Sequence, residues 1–127
     1  MITIITGKRG SGKSSLVKKI VGNKKAIWVQ HHSLKNDFWT SEYGVKKNTK
    51  FIIVDEATGI EGLKELFGDV LTIREPFKRK YSISMPQIII VSQNALKVDI
   101  SHTHINCDVY WDEVNRKMNK KIKTGIK

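Results

Sequence analysis

Apolar residues fall in short unbroken runs along this chain, and the segments between them carry polar residues or helix-like spacing. Runs that lack polar alternation predict strands buried on both faces, as in a parallel sheet. They predict strands at Ile2 to Thr6, Ala26 to Gln30, Phe51 to Val54 and Gln87 to Ser92, with a last strand at Ile105 to Trp111. A helix is expected over about Lys13 to Val21, closed by Gly22-Asn23. A second is expected over Gly59 to Phe67, where Ile60, Leu63, Leu66 and Phe67 share one face. His32 to Thr40 reads as loop or short helix, with Phe38 and Trp39 packing inward. In Asp69 to Ile83, apolar residues flank a basic turn of Pro76, Lys78, Arg79 and Lys80, which predicts a β-hairpin. Pro76 confines its arm to an edge or turn position. Strands alternating with helices predict an α/β fold, a three-layer sandwich around a central, mostly parallel five-stranded sheet with a β-hairpin insertion.

The chain has 127 residues, enough for one domain with a core of its own, and residues 112–127 read as a frayed basic tail. Its one cysteine, Cys107, cannot form an internal disulfide, which favours a reducing compartment such as cytosol. No apolar run approaches membrane-spanning length, and the N-terminus lacks the layout of a signal peptide, so no membrane partner is expected. Charge changes the picture more. A net charge of +11, with a pI near 9.8, makes polyanions the expected partners, although a lysine-rich solvated surface gives the same number.

The strongest chemical signal is Gly7-Lys8-Arg9-Gly10-Ser11-Gly12-Lys13-Ser14, which fits G-x-x-x-x-G-K-S at every fixed position between an apolar strand and a capped helix. Glycines let the backbone turn tightly enough that successive N–H groups point at phosphate oxygens, and the helix N-terminus adds positive potential. The motif therefore predicts a P-loop NTPase that binds ATP and Mg2+. Gly7, Gly10, Ser11, Gly12, Lys13, Ser14 and Ser15 would form the nucleotide site. Lys13 would sit on the β- and γ-phosphates, and the Ser14 hydroxyl would ligate magnesium.

The strand at Phe51 to Val54 ends in Asp55-Glu56. At the carboxyl end of a parallel strand, Asp55 could hold the magnesium shell and Glu56 could polarise the attacking water. An acid pair capping the next helix is the other use of such residues. His31-His32 and His102-x-His104 lack an accompanying ligand cluster, so no metal is expected there. Trp28, Trp39 and Trp111 read as core or strand-packing residues, and Cys107 as a small hydrophobe.

These blocks together resemble the superfamily-three helicases of small DNA viruses, the replication ATPases of parvoviruses and circoviruses, from Ile2 to about Lys121. Asp37-Phe38-Trp39 is similar to the family's aromatic segment. Leu63 to Ile83 is similar to its helix and basic hairpin, and Ile88-Ile89-Ile90-Val91-Ser92-Gln93-Asn94 to its strand ending in a polar sensor. The resemblance implies an AAA+-like fold and an Mg-dependent ATPase of helicase or replication type. It implies contact with single-stranded DNA through Lys78, Arg79 and Lys80, and a homo-oligomeric ring or a separate DNA-binding partner protein. Asn94 matches the sensor, though Gln93 could serve instead. Asp108-Val109-Tyr110-Trp111 resembles the strand before the arginine finger and puts Arg116 near the finger's place, with Arg74 as an alternative. Those helicases carry a nuclease domain and a helical segment ahead of the loop, and with a first strand at Ile2 this chain is expected to lack both. A viral or phage source would place it in host cytoplasm or nucleus. The opening Ile-Thr-Gly-Lys-x-Gly-Ser-Gly-Lys-Ser also resembles zonula occludens toxin-like phage morphogenesis or DNA-packaging ATPases. A small nucleoside or nucleotide kinase and a nucleotide-dependent binding module complete the alternatives.

Overall fold

A computed structural model describes residues 1–33, 43–74, 80–111, 113 and 114. The chain forms β1 (Ile2–Thr6), α1 (Lys13–Val21), β2 (Ala26–Gln30), β3 (Phe51–Asp55), β4 (Val70–Ile73), β5 (Tyr81–Ser84), β6 (Gln87–Ser92) and β7 (Thr103–Asn106). Five strands make one sheet in the order β2-β3-β6-β1-β7, and β4 and β5 form a separate two-stranded antiparallel sheet. Every pairing in the larger sheet is parallel. Its fold is thus mixed α/β, with the expected sheet and the expected hairpin arms.

Side-chain alternation explains why these strands are apolar throughout. Ile2, Ile4, Ile52, Val54, Ile88 and Ile90 face one side, where Leu63, Leu66, Leu71 and Ile73 cover them. Ile5, Ile53, Ile89 and Val91 face the other, under Leu16, Val17 and Val21 of α1. The hairpin and the turn before it therefore shield one face, and α1 shields the other.

Three expectations fail here. The last strand is Thr103–Asn106, and residues 107–111 are helical. Asn106 Oδ1 accepts the Asp108 N–H (3.0 Å), an Asx cap that starts a helix where apolar content alone suggests a strand. Gly59 to Phe67 does not form a full helix. Only Lys64–Phe67 coils, as a 3-10 turn, because Leu63 and Leu66 are drawn into the sheet's core while Gly62 takes a φ of 76° just before them. Trp28, expected as a core or strand-packing residue, is not in the core: it stands on edge strand β2 and is 44% exposed. Phe38, Trp39, Pro76, Phe77 and the 115–127 tail lie outside the described residues. Among the described residues, no helix is long and apolar enough to cross a membrane.

Candidate functional site

A wholly parallel sheet puts all its carboxyl ends on one edge. Thr6 of β1 pairs with Ser92 of β6, and Val54 of β3 pairs with Ile90, so the segments after β1, β3 and β6 emerge side by side. A cleft of about 590 Å³ opens there. Gly10, Gly12, Lys13, Ser14 and Ser15 line one wall, Asp55 and Glu56 a second, and Ser92 and Gln93 the floor between them, with Arg9 at the rim. The loop and acid pair, with 40 residues between them in sequence, face each other across the end of β6, which lies between β1 and β3.

The loop is held from inside and outside. Ser11 N–H donates to Lys8 O (3.0 Å), and Leu16 N–H donates to Gly12 O (3.0 Å) to begin α1. Lys13 reaches back across the loop and donates from Nζ to the carbonyls of Gly7 (2.7 Å) and Lys8 (2.8 Å). The N-terminus of α1 has no side-chain cap and no acid in its first turn, so its N–H groups remain available to an anion. Ser11 Oγ is buried without a hydrogen-bond partner, an orphaned polar atom inside the loop.

Residues after β7, which the sequence assigns to a strand and not to the loop, complete the loop's outer wall. Lys8 N–H donates weakly to both Asp108 carboxylate oxygens (3.4 and 3.3 Å). Trp111 lies against Gly12, so that a Cβ on Gly12 would stand 2.6 Å from indole Nε1. Tyr110 packs edge-on to Trp111 with ring centroids 5.1 Å apart, and its hydroxyl accepts from Lys19 Nζ (3.3 Å) on α1. Cys107 is buried beside Gly7, and that burial pushes its thiol above its ordinary pKa, with Lys13 opposing and Asp108 adding to the rise. The readable signal for this wall is Asn106-Cys107-Asp108 as a helix start.

Two glycines test the wall. Gly10 (φ 81°) has open space where a Cβ would stand, whereas Gly12 (φ 86°) has Trp111 in the way. Gly10→Ala is expected to cost about 1–2 kcal/mol, the left-handed backbone penalty alone. Gly12→Ala adds displacement of the indole and should melt measurably lower than Gly10→Ala in thermal denaturation. Equal melting temperatures would remove Trp111 from the account.

On the acidic wall, Glu56 is the one non-glycine residue with positive φ (52°) among those described. Its N–H donates to Asp55 Oδ1 (2.8 Å), and its carboxylate lies exposed, 3.9 Å from His32 Nδ1. The next residues are fastened. Ala57 N–H donates to Val91 O (2.8 Å), Thr58 N–H donates to His31 Nδ1 (3.1 Å), and His31 Nε2 lies 2.9 Å from Glu61 O. With Nδ1 accepting, Nε2 carries the proton and donates to that carbonyl.

Gln93, not Asn94, lines the loop cleft. Asn94 instead lines an adjoining cleft of about 430 Å³ with His32 and Glu56, and its N–H donates to Ser92 Oγ (3.3 Å). Lys80 is exposed at the foot of the hairpin, while Lys78, Arg79 and Arg116 lie outside the described residues. Arg74 follows β4, half-buried and outside the residues lining the loop cleft. Among the described residues, no group of three or more His, Cys, Asp or Glu is placed to hold a metal ion. Magnesium at the loop would instead rest on a hydroxyl and a carboxylate, Ser14 and Asp55, which share the cleft.

The model of a protein family described as "Family of unknown function (DUF5906)" matches residues 5–106. No curated protein matches the chain. Among solved structures, it is similar to the A form apo structure of the NrS-1 C terminal region, CTR(305-718), with 24% identity and a TM-score of 0.58. That likeness covers 84% of this chain and 28% of the other. A second A form apo structure of the same region gives 21% identity and a TM-score of 0.59, covering 85% of this chain and 29% of the other. At such identities the likeness is one of fold, and the chain spans under a third of those structures' length.

Proposed function

Because the chain belongs to DUF5906, a family of unknown function, its activity has to be read from its own site, and we propose that it is a P-loop NTPase, an Mg-dependent ATPase that acts with DNA. One observation carries this reading: Gly10, Gly12, Lys13 and Ser14 of the glycine-rich loop line the same cleft as the Asp55-Glu56 pair, at the carboxyl edge of the sheet. An uncapped helix N-terminus and a loop lysine suit a polyphosphate.

In this reading Lys13 exchanges its two loop carbonyls for β- and γ-phosphate oxygens. Ser14 and Asp55 would hold magnesium, which would supply positive charge against the charge that builds on the phosphates. Glu56 orients a water and takes its proton as the water oxygen bonds to the γ-phosphorus and the bond to the ADP oxygen breaks. Gln93 is better placed than Asn94 to sense the γ-phosphate, since it lines the same cleft. The DNA association rests on the net charge of +11 and the basic hairpin, and a helicase or replication role is the form of it that the sequence resemblance favours.

The test is ATP turnover by purified protein, with and without single-stranded DNA. Magnesium-dependent turnover that rises several-fold with DNA is the expected result. Turnover indifferent to DNA would remove the DNA role, and no turnover under either condition would remove the ATPase.

A further inference from the structure

The sheet has a second edge, where the amino ends of its strands emerge, and its surface is as basic as the first is mixed. A cleft of about 1020 Å³ runs along it between the α1–β2 connection, the 47–50 turn and the β5–β6 corner. Lys24, Lys25, Lys47 and Lys50 all line it, all are exposed, and among the described residues no carboxylate does. Like charges gathered without counter-charge repel one another, which costs stability in the free protein and is relieved by an anionic ligand.

These lysines stand on fixed backbone. Lys25 O accepts from both Lys50 N–H (2.8 Å) and Phe51 N–H (3.1 Å), and Lys50 O accepts from Gln87 N–H (3.0 Å). Thr49 closes its own turn, its hydroxyl accepting from Lys46 N–H (2.9 Å) while its N–H donates to Lys46 O (3.0 Å). Lys24 Nζ lies 6.0 Å from the Phe51 ring centroid and Lys47 Nζ 5.4 Å from that of Tyr81, so aromatic faces hold two ammonium groups over the cleft.

We propose that this cleft is a binding groove for the backbone of single-stranded nucleic acid, separate from the loop cleft. Four cations along an open trough suit a ligand with evenly repeated phosphates. Asn23, Asn48 and Gln87 supply amides that both donate and accept beside the apolar Ile83 and Met85, a lining suited to base edges and faces. The choice of ligand rests on the DNA association proposed above; the groove does not require ATP hydrolysis.

Fluorescence anisotropy with a labelled oligothymidylate of about 16 nucleotides, the upper end of a single-module site, tests this on the full chain without nucleotide. Lys24→Glu/Lys47→Glu should weaken binding tenfold or more. The double variant should also lower the slope of log affinity against log salt by about 1.4, two phosphate contacts at about 0.7 each. Lys24→Ala/Lys47→Ala should act in the same direction, with melting temperatures at or above that of the wild type confirming that both pairs fold. Unchanged affinity in both pairs, or loss confined to Lys80→Glu on the hairpin, would overturn the groove. Competition by polyglutamate equal to that by unlabelled oligonucleotide would overturn the nucleic-acid assignment and make the groove a seat for an acidic protein. Because no nucleotide is present, a chain that hydrolyses no ATP is still judged by this assay, and an active ATPase with an indifferent groove fails it.

Discussion

Exchange of Lys13 for alanine is expected to weaken ATP binding about a hundredfold, as the loss of charge-assisted hydrogen bonds worth about 1.5–3 kcal/mol each implies. The effect is large because, among the described residues, no other lysine lines the cleft. Arg9 is at the rim, whereas Lys13 Nζ already lies inside the loop, on the carbonyls of Gly7 and Lys8. Those same contacts are a complication, since removing them also releases the loop. Lys13→Arg separates the two effects, because it keeps the charge but replaces a compact ammonium by a planar fork that the tight turn does not admit. Calorimetric titration with Mg-ATP, accompanied by a thermal melt of each variant, gives the answer. Retained affinity in Lys13→Ala at unchanged stability would show that the loop is not a phosphate site.

Glu56→Gln should lower turnover by about two orders of magnitude or more, the usual contribution of a general base, while leaving ATP affinity within a few-fold. The backbone at this residue gives a second, independent reading. A φ of 52° on a glutamate costs about 1–2 kcal/mol that glycine would not incur. Glu56→Gly is therefore expected to be the more stable protein and the inactive one, as happens where strain is kept for activity. Single-turnover rates and melting temperatures of the two variants decide the matter. If Glu56→Gln hydrolyses ATP normally, the water is activated elsewhere, and His32, 3.9 Å from the carboxylate, becomes the group to examine.

The legible parts of this chain are those governed by continuous apolar runs and by fixed glycine spacing. Ile52 and Ile53 are both fully buried on opposite faces of the sheet, so β3 has no polar phase to confuse with a helix. Both walls of the loop cleft are readable for the same reason, because each follows directly from such a strand. What misleads is amphipathic spacing in a stretch too short and too glycine-rich to hold a helix, Gly59 to Phe67, where tertiary burial of Leu63 and Leu66 decides the geometry. The segment after β7 misleads in the opposite sense, since Val109, Tyr110 and Trp111 favour strands, yet a single Asx cap starts a helix there. Long-range pairs such as Lys8 with Asp108 and Gly12 with Trp111 have no local signature at all. Neither has the basic groove, whose lysines come from separate segments.

β3 begins at Phe51 in the groove and ends at Asp55 in the loop cleft, so one strand joins the two ends. At about 3.3 Å per residue its length holds them roughly 13 Å apart, and a hydrogen-bonded parallel sheet does not shorten. Phosphoryl transfer needs its reacting atoms within about 3.5 Å. The stretch of polymer seated in the groove would therefore lie beyond the reach of a γ-phosphate bound at the loop: that stretch would be cargo or effector, not acceptor.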